Sequence, residues 1–203
     1  MKGGFAARRA RIVSLYPKRM PGVVMSAKVH HRKVIHRGRV FDFTIETITL
    51  ENGETVDLEV IRHPGAAAVV AMPDPSSLLL LRQYRHAVGG YILEVPAGTV
   101  DAGETPDRCA RRELIEETGY AGHTWEAIGE ITPVPGYSDE RIHLYLATDL
   151  TPARQRLDRD ELIQVQTVSM EEAEEMIRNG EIQDAKTIAA LTMTRGRLKA
   201  GAV

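Results

Sequence analysis

The chain has 203 residues, of which 43% are hydrophobic and 27% are charged, and its formal net charge at pH 7 is −2. This length fits one medium-sized domain with a small appendage, and the hydrophobic content is sufficient for a packed core. The sequence has no run of about 18 apolar residues, which a membrane span requires, and no apolar stretch typical of a secretory signal. The single cysteine, Cys109, excludes an intrachain disulfide framework. We therefore expect a protein of the reducing cytoplasm with no membrane partner.

Charge is unevenly distributed along the chain. Residues 1–41 contain eleven Lys and Arg and no Asp or Glu, whereas the other 162 residues carry fifteen basic and twenty-eight acidic side chains. A basic arm is typical of nucleic-acid binding, of phosphate binding or of contact with an acidic partner subunit. No aromatic residues are interleaved with these charges for base stacking, so we do not expect a nucleic-acid partner. Residues 1–24 are expected to form a loosely ordered extension, and Met20 and Met25 leave open a later start.

Residues 25–62 have the pattern of a small antiparallel sheet. Two predicted strands, Lys33–His36 and Val40–Leu50, flank a turn, and the Asn52-Gly53 hairpin signal leads into a third. Alternation predicts one apolar face, formed by Phe41, Phe43, Ile45, Val56, Leu58 and Val60. Three short strands can hardly stand alone, so we expect this sheet to pack on the main domain or on a second subunit.

Residues 63–203 have the pattern of an α/β domain. Strands are predicted at Ala66–Met72, Ser77–Tyr84, Tyr91–Val95, Trp125–Thr132, Arg141–Thr148 and Leu162–Val168. Ser169 and Glu172 form a capping box for a helix that ends at Asn179-Gly180, and a last helix is predicted from about Asp184 to Arg195. Strands on both sides of a central helix, with helices at the end, predict a mixed sheet with flanking helices.

The central helix lies within the segment Gly98–Tyr120, which reads GTVDAGETPDRCARRELIEETGY. Thr105 is its predicted N-cap, and Pro106 suits the first helical position because proline has no N–H to leave unpaired there. Gly119 is the matching signal for the end of the helix.

Three carboxylates crowd one face of this helix, because Glu113, Glu116 and Glu117 stand at i, i+3 and i+4. Like charges at that spacing destabilise a helix by a few tenths of a kcal/mol per pair. A hard divalent cation such as Mg²⁺ prefers carboxylate oxygens and would reverse this penalty. The pattern therefore indicates a metal site.

The segment resembles the Nudix box, Gly-x5-Glu-x7-Arg-Glu-aliphatic-x-Glu-Glu-x-Gly-aliphatic, the signature of the Nudix hydrolases. Every fixed position is matched, and Tyr120 fills the terminal aliphatic position. Seven specified identities coincide by chance about once in 10⁸ windows. An acidic, solvated surface helix would explain the clustered glutamates but not Gly98, Glu104 and Arg112 at fixed offsets. The resemblance implies the Nudix fold, a mixed β-sheet flanked by helices in an α/β/α sandwich.

The resemblance also implies hydrolysis of a nucleoside diphosphate linked to another group, with Mg²⁺ as the cofactor and Mn²⁺ as a substitute. Glu113 and Glu117 are then the principal metal ligands, completed by the Ala97 carbonyl and by Glu116. Arg112 holds a box glutamate in position through a bidentate ion pair. Glu116 and Arg112 thereby belong to the catalytic residues.

Water activation requires a base within hydrogen-bond reach. In similar enzymes this base lies on a loop outside the box, so Glu140 is the first candidate and Glu161 the second. Glu104 has two open roles, as a metal ligand or as a stabiliser of the helix N-terminus.

Motifs around the box are similar to those of the ADP-ribose pyrophosphatases. They are EVPAG at 94–98, QYR at 83–85, GGY at 89–91, HPG at 63–65, DAKT at 184–187 and PGYSDE at 135–140. Pro135 stands sixteen residues after Gly119, the offset that marks ADP-ribose hydrolases in this family. The resemblance covers roughly residues 28–195 and implies cleavage of ADP-ribose to AMP and ribose 5-phosphate. The substrate-binding residues that it implies are Arg85, Glu94, Gly98 and Pro135.

Two alternative functions stay open at this point. The substrate could be a nucleotide-sugar such as GDP-mannose, or the protein could be a non-catalytic regulator that binds ADP-ribose, although such regulators usually lose box glutamates that this chain retains. The resemblance further implies a C₂ homodimer in which the sheet at residues 25–62 crosses to the second subunit and both chains contribute to each active site.

Overall fold

The computed structural model describes residues 27–199, so the extension predicted at residues 1–24 lies outside the described part. Within that part the chain forms ten strands in three sheets, together with three α-helices. The strands are β1 (Lys28–Arg37), β2 (Asp42–Thr49), β3 (Thr55–Arg62), β4 (Ala66–Ala71), β5 (Ser77–Arg85), β6 (Gly90–Glu94), β7 (Ala97–Thr99), β8 (Tyr120–Ile131), β9 (Ile142–Pro152) and β10 (Ile163–Ser169). The helices are α1 (Pro106–Thr118), α2 (Met170–Arg178) and α3 (Ala185–Lys199).

The central sheet has the strand order β7-β4-β9-β8, with β4 and β9 parallel and the other neighbours antiparallel. Strand β4 is buried on both faces. Ala67, Val69 and Ala71 pack in the clusters that include α1, whereas Ala68 and Val70 pack in the cluster that includes α2 and α3. Helices on both faces require an uninterrupted apolar strand, which the AAAVVA sequence of β4 supplies. The predicted α/β/α sandwich with a mixed sheet is confirmed.

A second sheet, β10-β5-β6, is entirely antiparallel and carries the residues 78–81 into the core. Its β5–β6 hairpin ends with Arg85 opposite Gly90 and places Leu81 opposite Glu94. The chain then passes directly from Glu94 through Val95 and Pro96 into β7. This connection places Glu94 three residues before the edge strand β7, where its side chain pairs with Lys186 of helix α3.

Both predicted helix starts are confirmed. The Thr105 hydroxyl accepts a hydrogen bond from the Arg108 N–H at 3.4 Å, and Ser169 and Glu172 form the reciprocal capping box at the start of α2. Gly119 ends α1 in the left-handed conformation, with φ of 73°. Of the helices within residues 27–199, none is long and apolar enough to cross a membrane.

The N-terminal sheet, β1-β2-β3, is antiparallel as predicted. The prediction of a single apolar face is wrong, because the register places Phe43 opposite Ile61 and Thr44 opposite Val60. Directly opposed residues share a face, so the Phe43 set and the Val60 set lie on opposite faces. The buried positions of β2 are Thr44, Glu46 and Ile48. A buried glutamate is tolerated there because arginine side chains pair with it.

Candidate active site

The carboxylates of α1 lie along strand β7. Glu113 and Glu117 are buried, at 9% and 2% exposed, whereas Glu116 is half-buried. Glu117 Oε2 accepts a hydrogen bond from the Ala97 N–H at 2.8 Å, and Glu113 lies directly against Gly98. The structure therefore places Glu113 and Glu117, two of the predicted metal ligands, against β7, with Ala97 contacting Glu117 through its N–H.

Arg112 connects three of the four box glutamates to one another. Its guanidinium forms a bidentate pair with Glu104, from Nε and Nη2 at 3.0 Å each, and its Nη1 donates to Glu113 at 2.6 Å and to Glu116 at 3.0 Å. Its Nη2 also donates to the Thr99 carbonyl at 3.2 Å. The hydrogen bonds from Arg112 lower the pKa of Glu104, more than burial raises it. Glu104 thus serves to anchor Arg112 between the loop and α1.

Burial raises the pKa of both inner carboxylates. The pKa of Glu113 rises to about 7 through desolvation, against the opposing effect of Arg112. The pKa of Glu117 is raised well above its usual range by desolvation and then by the charge of Glu113. The charge of Glu161 also raises both values. Glu161, in the segment before β10, is therefore near enough for its charge to affect this cluster.

A cavity of about 320 Å³ opens beside this cluster. Residues from several elements line it, among them Ala97, Gly98, Arg85, Glu140, Asp184 and Lys186. Predicted substrate-binding and catalytic residues from β5, β7 and the loop before β9 therefore meet at one place.

Glu94 pairs with two basic side chains that line this cavity, those of Arg85 and Lys186. It is only 3% exposed, accepts a hydrogen bond from Arg85 Nε at 2.8 Å, and forms a close ion pair with Lys186. Lys186 also donates to Asp184 at 3.0 Å. Its role in substrate binding stays a prediction, and in this arrangement Glu94 supports Arg85 and Lys186.

The two candidate bases occupy different positions. Glu140 lines the cavity, with its side chain 22% exposed and Oε1 at 3.7 Å from His63 Nδ1. Glu161 does not line this cavity, and its Oε2 accepts a hydrogen bond from the Asp158 N–H at 2.8 Å. Pro135, predicted to bind substrate, is exposed and does not line this cavity, where Pro133 lies instead.

Comparison with known proteins identifies the family. The NUDIX domain matches residues 61–191, which contain the box helix, the cavity and both candidate bases. The chain belongs to the Nudix family. It is a Nudix pyrophosphohydrolase, and enzymes of this family use divalent metal ions.

Several relatives of this Nudix protein have named activities. The ADP-ribose pyrophosphatase of Bacillus subtilis strain 168 is 36% identical over 169 residues, covering 82% of this chain and 91% of the relative. The GDP-mannose pyrophosphatase of Cronobacter sakazakii is 37% identical over 152 residues, covering 66% of this chain and 79% of the relative. A solved structure described as an ADP compounds hydrolase shares the fold, with a TM-score of 0.77 at 21% identity, covering 89% of this chain and 98% of that one.

The carboxylate cluster of this Nudix protein fits a divalent cation. Within residues 27–199, no three acidic, histidine or cysteine side chains are already converged as a metal cage. Arg112 draws Glu113 and Glu116 toward itself, and the Ala97 N–H holds Glu117. The donors are nevertheless all hard oxygens, and the two buried carboxylates repel each other. A hard cation matches these donors, and it would offset both the cost of burying the two carboxylates and the repulsion between them.

Lys186 is a cavity-lining residue that sequence reasoning did not single out. The DAKT motif at residues 184–187 marked it as part of the resemblance, but gave it no role. Its partner Glu94 lies 92 residues earlier in the chain, so no local pattern could connect them.

Proposed function

We propose that this Nudix enzyme hydrolyses the diphosphate bond of ADP-ribose to give AMP and ribose 5-phosphate, with Mg²⁺ as its cation and Mn²⁺ as a substitute. The observation that carries the proposal is the cavity itself, which Arg85 and Lys186 line together with Ala97 and Gly98 of β7. Glu117 and Glu113 of α1 lie against those two β7 residues. A diphosphate requires both kinds of group, cations for its oxygens and carboxylates for a metal ion.

Arg85 and Lys186 would hold the diphosphate. Both reach the cavity and both are fixed from behind by the buried Glu94. A guanidinium forms directed hydrogen bonds to phosphate oxygens, whereas an ammonium acts as a compact charge. The negative charge of Glu94 offsets the repulsion between these two cations, so both can lie close to the same diphosphate.

Glu113 and Glu117 would be the principal ligands of the cation, with Glu116 and the Ala97 carbonyl beside them. A divalent cation at such a site neutralises the charge of the phosphate oxygens and lowers the pKa of a bound water. Arg112 would keep Glu113 and Glu116 at the edge of α1 while Glu104 anchors the guanidinium.

Glu140 would accept the proton of the attacking water. Its carboxylate lines the cavity on the side of Pro133, and it is less tightly engaged than Glu161, whose carboxylate accepts the Asp158 N–H. As that water adds to one phosphorus, the bond between this phosphorus and the bridging oxygen breaks. Each product, AMP or ribose 5-phosphate, then carries one phosphate. A base near the water is needed for this step at neutral pH.

A nucleotide-sugar is the alternative substrate, favoured by the GDP-mannose pyrophosphatase relative. The test is a side-by-side panel of ADP-ribose, GDP-mannose and diadenosine polyphosphates, assayed by released phosphate after coupled phosphatase treatment. We expect kcat/KM for ADP-ribose to exceed the others by at least about tenfold, which corresponds to about 1.4 kcal/mol. A higher kcat/KM for GDP-mannose would show that ADP-ribose is not the preferred substrate. The assignment as a hydrolase of nucleoside diphosphate compounds would still hold.

We further propose that residues 25–62 form a dimerisation sheet, that residues 63–203 form the catalytic domain, and that the protein is a cytoplasmic homodimer. Half-exposed apolar residues on the N-terminal sheet, such as Leu58 at 43% and Ile35 at 44%, support an additional partner for it. The single, buried cysteine supports a reducing compartment.

A further inference from the structure

The loop that carries Glu140 is fastened to the end of strand β3. The Ile61 N–H donates to the Tyr137 carbonyl at 2.8 Å, and the Asp139 N–H donates to the Ile61 carbonyl at 3.2 Å. Backbone hydrogen bonds therefore fix the loop on one side, immediately before Glu140.

Asp139 is held by its side chain as well. Its Oδ1 accepts the His63 N–H at 2.9 Å, and its Oδ2 accepts Arg62 Nη1 at 2.9 Å. Burial would raise the pKa of Asp139, but the hydrogen bonds from Arg62 and His63 outweigh it and lower the pKa. Asp139 is thus a charged residue with both carboxylate oxygens engaged.

Arg62 is itself immobilised on its other side. Its Nε and Nη2 donate to Glu46 at 2.7 and 2.6 Å, and Glu46 is 2% exposed in the N-terminal sheet. The chain of contacts runs from a buried carboxylate in β2, through Arg62 at the end of β3, to Asp139 in the loop. A guanidinium whose three nitrogens all donate hydrogen bonds has little freedom to move, so Arg62 holds Asp139 in a fixed position relative to Glu46.

Glu140 follows Asp139 directly, and its N–H donates to the Ser138 hydroxyl at 3.1 Å. Consecutive Cα atoms are about 3.8 Å apart, so a displacement of Asp139 moves Glu140. Because proton transfer requires the base within hydrogen-bond reach of the water, a shift of about 1 Å is sufficient to reduce the rate strongly.

We propose that Arg62 and Asp139 are positioning residues, which hold Glu140 at the cavity through the Glu46–Arg62–Asp139 chain. The inference rests on the proposed function, in which Glu140 accepts the proton of the attacking water. It assigns to the N-terminal sheet a direct influence on the catalytic loop within one chain.

The experiment is a double-mutant cycle on the full chain, with kcat and KM measured for ADP-ribose at saturating Mg²⁺. Asp139→Asn retains an oxygen for the His63 N–H but removes the charge that Arg62 binds. We expect it to lower kcat about tenfold or more with KM within about twofold, because the base is displaced rather than the substrate site. Glu140→Gln should lower kcat further, and adding Asp139→Asn to it should cause no additional loss.

The matched control is Arg141→Gln, which removes an exposed ion pair with Glu130 on the other side of Glu140 and should leave kcat unchanged. Arg62→Lys gives a second variant, which keeps the positive charge but loses the fork geometry, and its kcat should fall in the same direction. All variants are assayed well below their melting temperatures.

The possible outcomes separate the two proposals. If Glu140→Gln retains the normal kcat, Glu140 is not the base, and the positioning proposal is overturned together with that assignment. If Glu140→Gln is impaired while Asp139→Asn and Arg62→Lys retain kcat, only the positioning proposal is overturned. Full additivity in the double variant, or an equal loss in Arg141→Gln, would also overturn it.

Discussion

Gly98 and Glu113 are so close that a side chain at position 98 would displace the Glu113 carboxylate. A β-carbon built on Gly98 would lie 1.9 Å from Glu113 Oε1 and 2.1 Å from its Cδ. Strand β7 is paired with β4, so the backbone cannot retreat easily, and the carboxylate would have to move. The first glycine of the box is therefore required by the approach of a metal-ligand candidate, and not by an unusual backbone conformation.

Gly98→Ala should accordingly damage the metal site more than the fold. We expect kcat to fall at least about tenfold and the Mg²⁺ concentration for half-maximal activity to rise, since Glu113 is displaced from its position. Gly90→Ala is the matched control, because position 90 is also in a strand and a β-carbon there meets no atom within 4 Å. Equal activity of the two variants would show that the position of Glu113 is not critical.

Glu117→Gln should reduce activity while stabilising the metal-free protein. Glutamine can still accept the Ala97 N–H, but it carries no charge for a cation, so we expect kcat to fall by several powers of ten. Near-normal turnover would contradict the assignment of Glu117 as a ligand.

The stability effect of Glu117→Gln should depend on pH. Burial raises the pKa of Glu117 in the folded protein, so the wild type loses stability as pH rises above the unfolded value, about 4.3. In the presence of a chelator, the melting temperature of the variant should exceed that of the wild type at pH 8, with little difference at pH 4. Glu175→Gln, on an exposed residue of α2, should show no such gain.

Features that depend on neighbouring residues could be predicted from the sequence. The start of α1 at Thr105 and Pro106, its end at Gly119 and the capping box of α2 are all produced by hydrogen bonds within a few residues. The burial of both faces of β4 follows from its continuous apolar sequence.

Features that depend on distant residues could not be predicted. The faces of β2 were misassigned because alternation counts apolar residues, and the buried positions 44 and 46 are polar. Glu46 is acceptable there only because Arg32 and Arg62 reach it from two neighbouring strands. The contact between Arg62 and Asp139 spans 77 residues and leaves no local pattern.

Glu46 should contribute strongly to stability at neutral pH. The hydrogen bonds from Arg62, opposed by burial and assisted by Arg32, lower its pKa from 4.5 to about 2. Because the folded pKa is lowered, this stability is present above the unfolded value and lost as pH falls toward 2. The shift corresponds to a contribution on the order of 3 kcal/mol.

Urea denaturation of Glu46→Gln should therefore show a lower free energy of unfolding than the wild type at pH 7, and the difference should narrow steadily below about pH 4.5. Glu59→Gln changes an exposed glutamate on the neighbouring strand β3 and should have little effect at either pH. A difference for Glu46→Gln that is independent of pH would indicate a packing effect rather than loss of the ion pairs.

The N-terminal sheet exposes apolar side chains on strands that the catalytic domain does not cover. Strand β1 is exposed along its whole length and includes Val34 and Ile35, at 37% and 44%, while Leu58 on β3 is 43% exposed. These residues lie beside basic side chains such as Lys33, and the chain beyond residue 41 is acidic overall. A second copy of the chain would thus complement the sheet in both hydrophobicity and charge.

We expect light scattering of the intact protein to give the mass of two chains, since a stable dimer of this kind buries about 1,000 Å² or more. Leu58→Glu should shift the protein toward the monomer and lower its activity, because a buried, unpaired charge is costly at an interface. Val88→Glu provides the control, since Val88 is more exposed, at 64%, but lies in the turn between β5 and β6. A fully active monomer of the unchanged chain would contradict the proposed dimer, and equal dissociation of both variants would place the interface elsewhere than on the sheet.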